Sequence, residues 1–220
     1  MKTNLLLTFV LSLAGLAPLV LAHSVWVEDT PEKQLVVRFG EPGGEFEKSP
    51  GYLDDLSLPI AWKTGDDGKP AALVAEKKSD HFLLVASDAT APACGETRFP
   101  AMKRGDRPAS WPHFYVRWQP AGAPAPTAPA LTLDILPTAT AGEFRVYLRG
   151  KPLPAAIVIV HRGDQETELT ADAEGRLRFK APSPGLVLLT CNHKETLPGF
   201  AAGAAYDVTS HNTALTWRQP

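Results

Sequence analysis

His23 stands directly behind Leu19-Val20-Leu21-Ala22, at the end of the apolar stretch that opens the chain. Lys2 supplies a positive n-region and Leu5 to Leu16 an apolar h-region. Val20 and Ala22 are the small residues that a signal peptidase accepts just before its cut. Cleavage after Ala22 makes His23 the first residue of the finished chain, carrying a free α-amine beside its own imidazole. Both groups are nitrogen donors in their neutral forms, and together they can chelate one metal ion.

The remaining histidines are His81, His113, His161, His193 and His211. None belongs to a His-Glu-x-x-His, His-x-His or Cys-x-x-Cys arrangement, so any site must be assembled across strands. Strand alternation puts His193 on one face with Val187, Leu189 and Cys191, His211 with Thr213, Leu215 and Trp217, and His113 with Tyr115 and Arg117. His161 reads as a strand-end surface residue and His81 as packing. The metal ligands expected are therefore His23, joined by His193, His113 or His211 in that order, with Cys191 as a softer alternative. Three such nitrogens suit Cu(II), or Ni(II) completed by water or a carboxylate.

Other chemistry finds less support. The acidic positions Glu41, Glu45, Glu47, Asp54, Asp55, Asp66 and Asp67 lack EF-hand spacing and read as a solvated loop face. There is no Gly-x-Ser-x-Gly elbow, phosphate loop or dinucleotide glycine pattern. With 22 Lys and Arg against 24 Asp and Glu, the net charge of −2 gives no electrostatic case for nucleic acid or anionic membrane. Cys94 and Cys191, in an oxidising compartment, either form one long-range bridge or serve as small buried hydrophobes.

The elements that must position these groups are strands. Twenty-one prolines and 17 glycines mark a turn-rich β architecture. Strands are expected at 35–39, 58–62, 81–86 and 113–118, and again at 131–136, 144–148, 155–160, 166–170, 177–179, 186–192 and 213–217. Residues 45–55 and 88–110 show no assignable pattern. Asp172-Ala-Glu-Gly175 reads as a tight turn. The Pro- and Ala-rich run from Pro120 to Pro129 reads as an extended linker. The expected organisation is a signal peptide at 1–22, an N-terminal β domain at 23–119, a linker at 120–130 and a C-terminal β-sandwich at 131–220. The fold class is all-β, with two immunoglobulin- or transthyretin-like sandwiches.

Several pieces in order, Ala-His-Ser-Val-Trp-Val at the cleavage point, Leu131-Thr-Leu-Asp-Ile-Leu-Pro137, Gly150-Lys-Pro-Leu-Pro-Ala-Ala156, Thr170-Ala-Asp-Ala-Glu-Gly-Arg176 and Asn212-Thr-Ala-Leu-Thr-Trp217, resemble the NikM-like periplasmic family of unknown function. That family is associated with nickel and cobalt uptake. The Gly-Lys-Pro-Leu and Asp-Ala-Glu-Gly-Arg pieces also resemble carboxypeptidase-regulatory-like β-sandwiches. The resemblance implies a secreted, all-β, metal-associated protein. Trp111 to Trp118 matches the family's corresponding segment only loosely, and the first domain is shorter.

The expectation is a periplasmic or secreted protein, not an enzyme and without a transmembrane anchor once cleaved. It would bind nickel or cobalt, or copper, through His23 and assist uptake or buffering, with a membrane metal transporter as partner. Two alternatives stand beside it. One is a non-metal envelope module docking a protein or glycan, signalled by Trp26, Trp62 or Trp111 exposed on one surface. The other is a copper-dependent oxidative enzyme.

Overall fold

The computed structural model describes residues 23–64 and 69–220. The signal-peptide reading of 1–22 lies outside them, as do Asp66 and Asp67. Strands make up nearly all the regular structure of the described residues, and no α-helix occurs among them, as the all-β expectation requires. Their elements are β1 (Ser24–Asp29), β2 (Leu35–Gly40), β3 (Ile60–Thr64), β4 (Pro70–Lys77), β5 (Phe82–Val85), β6 (Ala93–Arg98), β7 (Ser110–Trp118), β8 (Leu133–Pro137) and β9 (Glu143–Leu148). They continue as β10 (Lys151–Pro152), β11 (Ile157–Arg162), β12 (Gln165–Thr170), β13 (Arg176–Arg178), β14 (Gly185–Glu195), β15 (Gly199–Ala201), β16 (Ala204–Tyr206) and β17 (Val208–Gln219). A 3-10 turn at Tyr52–Asp54 is the only helical element among them, and it falls in the unassigned 45–55 stretch.

One curled sheet of 11 strands runs β1-β2-β5-β4-β3-β6-β7-β17-β14-β11-β12. A second sheet holds β10-β9-β13 with β8 paired to β9, and β15 pairs with β16 alone. No strand lies between Trp118 and Leu133, yet the large sheet spans both sides of that stretch. It does so because β17 pairs in parallel with β7, from Val208 opposite Ser110 to Thr216 opposite Trp118. The other edge of β17 pairs antiparallel with β14, from Gly185 opposite Gln219 to Glu195 opposite Thr209.

Alternation along β7 serves two cores at once. Phe114, Val116 and Trp118 enter the first, with Val25, Val37, Phe39 and Leu84. Tyr115, on the opposite face, enters the second, with Leu133, Ile135, Val146, Leu189 and Leu215. On the face shared by His113, Tyr115 and Arg117, both Tyr115 and Arg117 are buried, and Arg117 meets Asp134 of β8. Curling brings β1 back over β17, where the Thr216 hydroxyl donates to the Val27 carbonyl and Arg218 pairs with Asp29 at 2.6 Å. The buried Trp26 joins Leu188 and Ala214 there.

The 172–175 turn forms as read. The Gly175 N–H reaches the Asp172 carbonyl at 3.0 Å, and the Asp172 carboxylate accepts from Glu174 and Arg176. Gly175 has φ +74°, and a Cβ there would lie 2.9 Å from the Val146 carbonyl oxygen, so only glycine fits without strain.

Cys94 and Cys191 are both free and buried. They share a face but sit on β6 and β14, with β7 and β17 between them. Three strand spacings of ~4.8 Å separate them by roughly 14 Å, about twice the Cα reach of a disulfide. The long-range bridge is thus not formed, and both act as buried hydrophobes. Burial pushes the thiols up, Cys94 to about 11 and Cys191 to about 12. A thiol reagent at neutral pH should leave the native protein unmodified and label two thiols per chain in denaturant; rapid native labelling would contradict this burial.

Candidate metal centre

His23 begins the described chain, immediately before β1. Its Nε2 lies 2.5 Å from Glu47 Oε1, and its ring packs against Phe39 at 5.5 Å and Tyr52 at 6.4 Å between centroids. Glu47 is delivered by a local reversal at the end of β2. Gly44 N–H bonds the Glu41 carbonyl, Phe46 bridges to Gly40, and Glu47 N–H reaches the Phe39 carbonyl at 2.8 Å. Gly40, at φ +153°, permits that reversal, since a Cβ there would collide with the Glu45 carbonyl oxygen. The His23 side chain is 36% exposed and Glu47 22%, so the pair meets solvent.

This arrangement has a tautomeric consequence. The Glu47 carboxylate accepts from Nε2–H, which assigns the proton of a neutral ring to Nε2 and the lone pair to Nδ1. Nδ1 is the nitrogen that closes a chelate with an α-amine on the same residue. A carboxylate holding the other nitrogen is the usual orienting partner of a metal-bound histidine. Sequence reading had placed Glu47 among solvated loop acids; no spacing rule links it to His23, and only the Gly40–Phe46 bridge does.

The other three candidate histidines form a separate group. His193 lies directly opposite His211 across β14 and β17, and His211 directly opposite His113 across β17 and β7. Directly opposed residues share a face, so the three stand in one row. His113 and His211 have centroids 5.8 Å apart, and Trp111 meets His113 edge-on at 4.1 Å. Both nitrogens of His211 are engaged: Nδ1 lies 3.0 Å from the Tyr115 hydroxyl and Nε2 3.0 Å from Glu195. Arg149 holds Glu195 in turn, at 2.6 Å. His113 Nε2 is buried without a hydrogen-bond partner.

Burial governs the charge state of the row. Desolvation, reinforced by the nearby Arg98 and His211, pushes His113 down to about 4. Desolvation also lowers His211, outweighing the opposing pull of Glu195, and it raises the Tyr115 phenol. At neutral pH the buried part of the row is an uncharged network tying β7, β17 and β14 to the turn that carries Arg149.

The row and His23 lie on opposite faces of the sheet. His23 packs on Phe39, Phe39 packs on Phe114, and Phe114 and His113 are successive residues of β7. The structure therefore brings His113, His211 and His193 together but does not bring them to His23. Among the described residues no group of three or more His, Cys, Asp or Glu side chains converges to hold an ion.

Two other histidines differ from expectation. His161 is buried rather than a surface residue, with Nε2 2.8 Å from the Thr190 hydroxyl and Nδ1 3.0 Å from Glu166. Its neighbour strands β12 and β14 supply those partners. His81 pairs with Asp80 at 2.6 Å beside Arg38, because it precedes β5 rather than alternating into its packed face. The tryptophans do not make one exposed surface: Trp26 is buried, and Trp62 packs against the second core. No helix among the described residues is long and apolar enough to cross a membrane. No family model matches the chain, and no curated protein is significantly similar to it.

Proposed function

We propose that this chain is an exported protein of two β-sandwich units that binds a divalent transition metal at its processed amino terminus and carries or buffers the ion in the periplasm. The ligands would be the α-amine and Nδ1 of His23. The supporting observation is the Glu47 contact to His23 Nε2, which leaves the chelating nitrogen with its lone pair. With no second imidazole in reach, the remaining positions fall to water or to a recipient. An exposed two-nitrogen chelate with open positions suits an ion that must be released again. The NikM-like resemblance favours nickel or cobalt, with a membrane transporter as recipient. The nitrogen donor set favours copper, which binds such ligands more tightly than nickel or cobalt does.

Calorimetric titration of the processed protein with Ni(II), Co(II) and Cu(II) tests this reading, after mass spectrometry of the first residue. One extra residue before His23 acylates the amine and should weaken binding at least about tenfold, while Glu47→Gln should weaken it about 10- to 100-fold. A mature chain that does not begin at His23, or an extended chain that binds as well, would exclude the terminal chelate.

A further inference from the structure

Leu197 to Tyr206 is a run of residues without a single charge, and it contains the β15–β16 hairpin, which pairs with no other strand. Phe200 is 73% exposed and Leu197 44%. An isolated apolar ribbon of two strands is marginal in water. Its turn makes the composition more pointed. Ala202 and Gly203 connect the paired Ala201 and Ala204 with φ of +49° and +83°. Positive φ at both central residues is type I′ geometry, which favours Asn-Gly or Asp-Gly. Alanine is strained at the first position, where asparagine would relieve the strain. The tip stays apolar at a conformational cost.

A cationic loop leaves the sheet beside this hairpin. Because β7 and β17 run parallel, the segments that precede them leave the same end of the sheet. They are joined there: Asp207 N–H donates to the Ala109 carbonyl at 2.9 Å, and Ala109 N–H to the Asp207 carboxylate at 3.0 Å. The loop before β7 exposes Lys103, Arg104 and Arg107 against one acid, Asp106. Between loop and hairpin, Trp111 packs on Tyr206 at 5.2 Å, with the Arg98 guanidinium over the indole at 5.4 Å. The apolar hairpin and the cationic loop thus leave the same end of the sheet, with the amphipathic aromatic pair at their base.

We propose that this end of the molecule docks on an anionic phospholipid bilayer, the β15–β16 hairpin entering the interface while Lys103, Arg104 and Arg107 meet the lipid phosphates. Three residues at ~3.3 Å place the turn about 10 Å beyond the Trp111–Tyr206 level, the depth to which interfacial elements sink. Tryptophan and tyrosine belong at headgroup level, and basic residues beside it gain from anionic lipid. A tip of alanine, glycine and one phenylalanine offers a folded partner few anchor side chains, whereas a fluid surface needs none. The inference stands apart from the metal reading. It does agree with it in place: Val27 meets Thr216 and Asp29 meets Arg218, so β1 advances with β17 and His23 lies toward this same end.

Flotation with vesicles of phosphatidylcholine, with and without phosphatidylglycerol, tests the proposal, every variant being compared in the same processed form. The wild type should float with the anionic vesicles and be released by salt. Phe200→Ser should lower the bound fraction about tenfold. Replacing Lys103, Arg104 and Arg107 with glutamine should remove the preference for phosphatidylglycerol and the salt dependence. Ala202→Asn separates lipid contact from a structural role, since it should favour the turn yet reduce flotation severalfold. A wild type that stays with neither vesicle, including one that instead self-associates through Phe200, overturns the proposal. So does a Phe200→Ser or Ala202→Asn protein that floats as well as the wild type.

Discussion

Asp134→Ala is expected to cost about 3–5 kcal/mol of folding free energy, a large share of the ~5–15 kcal/mol that holds a domain together. Asp134 is fully buried on β8 and meets the guanidinium of Arg117, itself 4% exposed, in a two-pronged contact at 3.0 and 2.7 Å. The same carboxylate accepts from the backbone N–H of Ala130 at 3.0 Å and Leu131 at 3.3 Å. Its loss leaves a buried cation without a partner and two backbone donors unpaired, at the point where the chain enters the second sheet. Removing both charges, as Arg117→Met with Asp134→Asn, should cost less than the sum of the single changes, with a coupling of at least about 1.5 kcal/mol. Urea unfolding at constant slope measures both. A shift below about 1 kcal/mol for Asp134→Ala would mean that water reaches the pair.

The same ion pair shows what the sequence could reveal and where it stopped. Alternation correctly groups His113 with Tyr115 and Arg117, the more polar side of their strand. It is buried only because Asp134, on a strand 17 residues later, neutralises Arg117. Strands such as β2 and β9 are legible because β-branched and aromatic side chains repeat at the strand period. β6, Ala93–Arg98, is not: Gly95 is there because the Ile60 carbonyl and the Val116 side chain would lie 3.2 and 3.3 Å from a Cβ, and close approach of that kind leaves no hydrophobic mark. Pairing of β7 with β17 joins residues about a hundred positions apart in parallel, which no local pattern encodes. The histidine row follows from that one register. Strand alternation groups His113, His193 and His211 with their face-mates but misreads His81 and His161, and which faces coincide, and that His23 is turned to the other side, depends on sheet order.

Lowering the pH from about 6.5 to about 4 should cost on the order of 2–3 kcal/mol of stability through His113 alone, the figure allowing for its partial exposure. An unfolded chain protonates this histidine near ~6.5, whereas the folded chain resists until about 4 because burial, Arg98 and His211 all oppose the charge. Between those limits the unfolded state holds more protons, so stability is full above the window and falls as acid is added. His211 contributes in the same direction, since desolvation lowers it despite Glu195. The groups facing the pair are Arg98 on β6, Trp111 and Tyr115 on β7, His193 and Glu195 on β14, and Arg149 on the turn that follows β9; the charge of the arginines does not change in this range. Paired carboxylates such as Asp29 and Glu195 are held below their ordinary values, so the stability they contribute begins to fall only at about pH 5 and overlaps this window at its acid end alone. His113→Phe keeps a ring against Trp111 and removes the unpartnered Nε2. Its stability at pH 7 should match the wild type within about 1 kcal/mol, because no hydrogen bond of that nitrogen is lost. Its stability should then fall less steeply than the wild type's between pH 6.5 and 4. Chemical denaturation at a series of pH values would show this directly, and two parallel curves would mean that His113 is protonated as easily in the folded chain as in the unfolded one.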